Sequence, residues 1–238
     1  MITTLKGLTI RGIKDYVNLL PNRTVIKEDE SRTIIVDNLS DSEIVLERGA
    51  KLQFIYLGNS GLDNPAKIKF IFDGKDSELI FLGFVIGRGE DLYDFEAISE
   101  QKTPETKAYF HLHAALYDKS RVNFKGKLII EREAQLSDAY LSHRTLLLSA
   151  NSRTRTIPAL EISADDVKAG HAATVGKVSP EDLFYLGSRG IDPGTAEQLL
   201  ILGFFEKQLT LIPNEDLRNT LRQAIIRSLP FQHTDFYV

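Results

Sequence analysis

Residues 66–85 read AKIKFIFDGKDSELIFLGFV. The stretch holds two runs dense in β-branched and aromatic residues, 66–72 and 78–85, and each run is typical of a β-strand. The first run opens with alternating polar and apolar side chains, so we expect one face of that strand to be buried. Between the runs lies a short corner, Asp76-Ser77-Glu78-Leu79, in which a small residue precedes a charged one.

The same kind of corner recurs along the chain. The other copies are Gly49-Ala50-Lys51-Leu52, Lys119-Ser120-Arg121-Val122, Glu133-Ala134-Gln135-Leu136 and, more loosely, Asn151-Ser152-Arg153-Thr154. From Ser120 to Ala134 the step is 14 residues and from Ala134 to Ser152 it is 18, which suits one strand plus one corner. The repeat predicts a mainly β protein, a stacked β-solenoid whose corners admit only small side chains. A β-sandwich or barrel also gives regularly spaced turns and stays open at this point.

The hydrophobic period changes near residue 179. Ser179-Pro180 and Asp192-Pro193 each place a capping side chain before a proline at the first helical position, and Pro213-Asn214 opens a third helical segment. We therefore divide the chain into a short N-terminal segment (1–30), a β-solenoid core (31–178) and a small helical region (179–238). Because solenoids need capping, we expect the helices to cover an open end, to present a face to a partner, or both.

Composition excludes several classes of protein. The 238 residues carry 29 Lys+Arg and 33 Asp+Glu, a formal charge of −4, so the basic excess typical of nucleic-acid binding is absent. The sequence has no cysteine, which rules out disulfides and any cluster held by thiolates of this chain alone. The longest apolar run, 79–87, is far shorter than the ~20 residues of a membrane span. We expect a soluble, cytoplasmic protein that binds no membrane.

Three histidines suggest a metal centre. His111 and His113 form an H-x-H pair on a strand, so both rings point to one face, where His143 or a carboxylate could complete a divalent-cation site. This spacing is similar to the metal-binding strand of cupins, and it makes a cupin-like metal-dependent enzyme one alternative function. A carbohydrate-active enzyme on a β-helix is the other alternative, although no convergent set of acids is evident.

Residues 170–178 have only a superficial likeness to a phosphate-binding loop. Gly170 and Gly176 lie one residue too far apart for a Walker A motif, and Val178 stands where a magnesium-ligating Ser or Thr is needed. If ATP drives the work of this protein, we expect another chain to hydrolyse it.

Motifs in the second half of the chain resemble one family. They are Asp165-Asp166-Val167-Lys168, Gly170-His171-Ala172-Ala173-Thr174-Val175-Gly176, Leu183-Phe184-Tyr185-Leu186, Ser188-Arg189-Gly190-Ile191 and Gly203-Phe204, with Phe124-Lys125-Gly126-Lys127 and Pro158-Ala159-Leu160-Glu161-Ile162 upstream. In order and spacing they are similar to the SufB/SufD family, the scaffold subunits of SUF iron–sulfur cluster assembly. The likeness covers about residues 108–230, and it is greatest to SufD-like members because these carry a histidine at the position of His171.

The resemblance implies a right-handed parallel β-helix followed by a short helical domain. It also implies a non-catalytic scaffold whose β-helix dimerises with a SufB-like paralogue or with itself, and whose helical tail docks an ABC-type ATPase, SufC. The residues expected on that docking face are Leu183, Phe184, Tyr185, Arg189, Leu199 and Phe204.

The same resemblance places His171 near the dimer surface as a ligand for iron or a nascent cluster. Since thiolates are the usual cluster ligands and this sequence has none, we expect no cofactor bound stably by the chain alone, only transient iron or cluster in a complex. Family members commonly have a longer helical segment before the β-helix, whereas only about 30 residues precede the first expected strand here. A reduced family member acting as a homodimer is therefore also open.

Overall fold

The chain is built from short strands that alternate between two sheets. The computed structural model describes residues 2–5, 8–11 and 20–230. Strands β1 (Ile2–Leu5) and β2 (Leu8–Arg11) form an antiparallel pair. The strands that follow are β3 (Arg23–Ile26), β4 (Ser31–Val36), β5 (Ser42–Leu46), β6 (Lys51–Gly58), β7 (Ala66–Phe72), β8 (Glu78–Gly87), β9 (Leu92–Gln101), β10 (Lys107–Leu116), β11 (Arg121–Ile130), β12 (Asp138–Leu147), β13 (Arg153–Ile162) and β14 (Lys168–Gly176). Helices α1 (Pro180–Ser188), α2 (Pro193–Leu209) and α3 (Glu215–Ser228) complete the described chain.

Strands β3 to β14 form a parallel β-solenoid. The even-numbered strands stack in the order β14-β12-β10-β8-β6-β4, and the odd-numbered strands stack as β13-β11-β9-β7-β5-β3. Every pairing within these two sheets is parallel and joins strands two apart in sequence. Each coil therefore gives one strand to each sheet, as the corner repeat predicts, and the sandwich and barrel alternatives are excluded.

The small residues of the repeat occupy the corners. The side chains at these positions are completely buried: Ala50, Ser77, Ser120, Ala134 and Ser152. Each of the three serines donates a hydrogen bond to the backbone carbonyl three residues earlier, at 2.6 to 2.9 Å. The hydroxyl thereby satisfies a carbonyl inside the turn, which explains why serine alternates with alanine there.

The interior between the sheets is filled by side chains that stack from coil to coil. Phe54, Phe81 and Phe110 occupy one register row, with ring centroids 5.5 and 5.4 Å apart. The same row continues through Leu141 to His171 on β14. Because parallel strands hold register residue by residue, one aromatic per coil produces a continuous buried column.

Three solenoid strands were not expected from the sequence. Strand β3 (Arg23–Ile26) places the first coil ahead of residue 31, where the sequence pattern begins the core. It escapes recognition because it is four residues long and only Ile26 is fully buried. In β9 acidic residues on the outer face interrupt the apolar run, and β14 is built largely of glycine and alanine.

The helices begin where the sequence predicts. Ser179, Asp192 and Asn214 are the N-caps of α1, α2 and α3, and each side chain accepts a hydrogen bond from a backbone N–H of the first turn. Among the described residues, none of these helices combines the length and the apolar character needed to cross a bilayer.

The helical region covers the side of the solenoid and not its end. The outer face of the even-numbered sheet and the helices share one buried apolar cluster, formed by Ile35, Ile55, Leu82 and Phe84 from the sheet and by Ile201, Phe205, Leu209, Leu221 and Ile225 from the helices. The amide of Gln208 on α2 is buried and donates to the carbonyls of Gly83 and His111, at 3.1 and 2.7 Å. Of the two uses expected for the helices, covering an open end does not apply to the last coil, because their apolar faces pack on the side of the solenoid.

Replacing a corner alanine tests the steric limit of the repeat. Ala134→Leu places three additional carbon atoms in a completely buried corner, so we expect unfolding in urea to show a loss of about 1–3 kcal/mol. Glu133→Leu, at the exposed neighbouring position, is the matched control and should change stability by no more than about 0.5 kcal/mol. Equal stability of the two variants would contradict a small-residue requirement.

His143 inside the solenoid makes stability depend on pH. Burial lowers its pKa to about 4, whereas an unfolded histidine titrates near 6.5. Between these two pH values the unfolded chain binds a proton at His143 and the folded chain does not. The stabilisation is complete above about pH 6.5 and is lost as the pH falls toward 4. Between about pH 7.5 and 5.0 we expect the wild type to lose about 2 kcal/mol more than His143→Gln in urea unfolding. Parallel losses in both proteins would show that His143 is not the group responsible.

Candidate functional site

The last coil leaves two strand edges open. Strands β13 and β14 are the final members of their sheets, and no other described strand pairs with their outer edges. Apolar side chains accompany these edges: Ile157 and Ile162 on β13 are exposed, and Val175 on β14 is 57% exposed. Free backbone donors and acceptors beside exposed apolar side chains make this end of the solenoid a template for further strand pairing.

His171 lies on β14 at this open end. Its register partner is Leu141, so it continues the interior row of side chains that begins at Phe54. No further described coil follows, and the imidazole is exposed where the preceding members of the row are buried. The family resemblance implies that His171 lies near a dimer surface. In the structure His171 lies at the open end of the solenoid interior.

A second exposed surface lies on the helices. Helix α1 has no buried residue, and Phe184 on it is 79% exposed while Tyr185 is also exposed. The guanidinium of Arg189 lies 5.4 Å from the centre of the Tyr185 ring, which orders a cation–π pair on the surface. Leu199 on α2 is exposed as well, and Leu183 is half-buried. We call Leu183, Phe184, Tyr185, Arg189 and Leu199 the helical face.

Phe204 is not part of the helical face, in contrast to the sequence expectation. Its ring stacks on the ring of His113, with centroids 4.7 Å apart, and packs against Phe205. The carbonyl of Phe204 is hydrogen-bonded to Nδ1 of His113 at 3.1 Å. Phe204 therefore attaches α2 to the sheet, because the helix turns this side chain toward the solenoid.

The three histidines of the H-x-H hypothesis lie on two sides of one sheet. His111 and His113 share the outer face of β10, as expected from strand periodicity. His143 pairs in register with Leu112 and points into the interior, where Thr145 and Thr156 are its hydrogen-bond partners. The described residues contain no group of three or more metal-ligating side chains in suitable positions. The joint site expected for His111, His113 and His143 is therefore not formed, since the sheet backbone separates them.

Partial burial of His111 and full burial of His113 keep both imidazoles neutral at pH 7. Burial lowers the pKa of His113 to about 3, although the hydrogen bond to Phe204 opposes this, and Arg144 lowers it further. Burial also lowers the pKa of His111. Each ring therefore packs against its neighbours as a neutral imidazole, with one nitrogen as a hydrogen-bond donor and the other as an acceptor.

Sequence reasoning missed the exposed isoleucines of β13. Ile157 faces outward, between the inward positions Thr156 and Pro158, whereas Ile162 pairs with the buried Ile130 and is exposed because it lies at the open end. Which isoleucines are exposed depends on the strand register and on which coil is the last one. Neither is known from the sequence alone, so the exposure of these side chains could not be predicted.

The chain matches a family model along most of its length. Residues 25–204 match the family described as "SUF system FeS cluster assembly, SufBD core domain". The matched range runs from the first solenoid strand into α2, so it includes the open last coil and the whole helical face.

Curated relatives agree with this match. The chain is 37% identical over 145 residues to the iron–sulfur cluster assembly protein SufD of Bacillus subtilis, which covers 61% of this chain and 33% of the relative. It is 36% identical over 113 residues to SufD of Escherichia coli, covering 48% of this chain and 27% of the relative. It is 32% identical over 202 residues to a SufBD family protein of Mycobacterium leprae, covering 81% and 51%. The chain thus spans about half or less of these relatives, and by its core it belongs to the SufBD family of the SUF system for iron–sulfur cluster assembly, with SufD proteins among its similar relatives.

Proposed function

We propose that this chain is a non-catalytic scaffold subunit of a SUF-type iron–sulfur cluster assembly complex. The observation that carries the proposal is the match of the whole solenoid to the SufBD core, combined with an open last coil that exposes His171. The sequence supplies no cysteine, so the thiolates that clusters need must come from another chain. The role of this chain is then to hold other subunits in position.

The open coil is the surface proposed for a second β-helix. A partner that presents its own terminal strands can extend both sheets by hydrogen bonding to β13 and β14, which satisfies their free backbone groups. The exposed Ile157, Ile162 and Val175 would be covered in the same step. The occupant is a cysteine-bearing SufB-like paralogue, and a second copy of this chain is the alternative that the experiment below distinguishes.

In such a pair His171 lies at the joint surface and is proposed as a nitrogen ligand for iron, the cargo of the complex. Imidazole suits iron(II), and thiolates from the paralogue would supply the softer ligands that clusters prefer. His171 can reach such cargo because its row ends at the open coil and no described side chain covers it.

The helical face is the surface proposed for an ABC-type ATPase. Aromatic side chains and arginine are enriched at the energetically important centres of protein interfaces, and Phe184, Tyr185 and Arg189 form such a group. Helices α2 and α3 pack on the sheet through the shared apolar cluster, and the Gln208 amide on α2 bonds to it. A displacement of α2 by a bound partner would therefore also displace the solenoid. Nucleotide-driven motion of the ATPase would thereby act on the paired solenoids.

Two variants separate the two proposed surfaces. Phe184→Asp places a charge in the helical face, and Val175→Asp places one beside the open edge of β14. The full chain is mixed with a SufC-like ATPase and a cysteine-bearing SufB-like paralogue, and complexes are measured by size exclusion with light scattering. We expect Phe184→Asp to weaken only ATPase binding, and Val175→Asp to weaken only the β-helix pairing, each at least about tenfold.

Leu92→Asp is the matched control, since Leu92 is 42% exposed on β9 and belongs to neither surface. It should assemble like the wild type. Dimers of the chain alone that disappear with Val175→Asp would assign the open coil to a second copy. Normal assembly of both test variants, or no complex of the wild type with either partner, would contradict the proposed function.

A further inference from the structure

A cleft lies between the outer face of the even-numbered sheet and the C-terminal half of α2. Its volume is about 270 Å³. Strands β10, β12 and β14 form its floor, and Lys207, Gln208 and Leu211 from the helical region form one wall. The cleft is separate from the helical face, and His171 does not line it.

The charged side chains that line the cleft are all basic. Arg144 on β12 is half-buried, and Lys207 on α2 is exposed. No Asp or Glu belongs to the lining, and the guanidinium of Arg144 makes no hydrogen bond or ion pair with the described residues. A half-buried guanidinium without a carboxylate is unusual, because removing part of its hydration costs free energy that an ion pair normally recovers.

The sheet register surrounds Arg144 with polar groups. His113 on β10 and Thr174 on β14 are its direct neighbours across the sheet, and Ser142 precedes it by two residues on the same face. Neighbouring strands lie about 4.8 Å apart, so the hydroxyls of Ser142 and Thr174 lie close to the guanidinium as further hydrogen-bond donors, whereas the single N–H of neutral His113 is already donated to the carbonyl of Phe204. The positive charge of Arg144 also helps to lower the pKa of His113, after the larger effect of burial.

The remaining walls are apolar. Tyr140 is exposed on the floor and Leu211 lies opposite on the helical side. The volume exceeds that of a bare tetrahedral oxyanion and approaches the roughly 300 Å³ at which pockets for small organic ligands begin.

We propose that this cleft binds a small phosphate monoester, with the phosphate group on Arg144 and Lys207 and the organic part against Tyr140 and Leu211. A guanidinium offers parallel N–H donors to two phosphate oxygens, and the lysine adds a second cation for a dianion. The hydroxyls of Ser142 and Thr174 supply further donors. This site goes beyond the scaffold role and does not depend on it, since all the groups named belong to one chain.

Calorimetric titration of the full chain at low salt tests the site. The probes are phenyl phosphate, inorganic phosphate and benzoate. We expect saturable 1:1 binding of phenyl phosphate that is tighter than that of either other probe, because only phenyl phosphate has both the dianion and the ring. Arg144→Gln should weaken phenyl phosphate binding at least about tenfold, and Lys207→Gln severalfold.

Arg132→Gln is the matched control, because Arg132 is an exposed corner arginine that does not line the cleft. It should bind phenyl phosphate like the wild type. Lys207 is exposed, so Lys207→Gln keeps the test valid if Arg144→Gln fails to fold. Lack of saturation, equal binding of benzoate and phenyl phosphate, or the same affinity in Lys207→Gln and Arg132→Gln would overturn the proposal.

Discussion

Parallel stacking in register satisfies the backbone of every solenoid strand except those of the terminal coils. Each strand from β5 to β12 has a neighbour on both sides, whereas β13 and β14 have one. The same register places one side chain of each coil in a continuous row, so Phe54, Phe81 and Phe110 form a buried column. His171 occupies the last position of that row and is exposed because no described strand follows. The open edge and the exposed imidazole are therefore two consequences of one constraint.

The position of the helices leaves the last coil uncovered. Had α2 and α3 packed over β13 and β14, the terminal coil would be covered and no edge would be free. They pack instead on the outer face of the even-numbered sheet, held by an apolar cluster and by the hydrogen bonds from the Gln208 amide to two backbone carbonyls of the sheet. The chain thus presents an open strand edge and an aromatic helical face at separate places. The scaffold role proposed above uses both surfaces, one for each proposed partner.

Local features of the fold could be predicted from the sequence, whereas long-range placement could not. The corner residues Ala50 and Ser77 and the helix caps Ser179 and Asp192 were identified correctly, because turn and cap chemistry lies within a few residues. Strand β14 was missed because its glycines and alanines have weak strand preference, and stacking on β12 defines it. The opposite sides taken by His113 and His143, and the inward turn of Phe204, depend on register and on helix packing. Neither can be read from the spacing of residues along the chain.

The free edge of the last coil is proposed as the surface on which a second β-helix assembles. Amide hydrogen exchange, measured strand by strand with and without a SufB-like paralogue, tests it most directly. We expect rapid exchange in β13 and β14 of the single chain, slowing at least about tenfold on pairing, with β8 protected equally in both states. A stable complex in which β13 and β14 still exchange rapidly, while another surface gains protection, would contradict it.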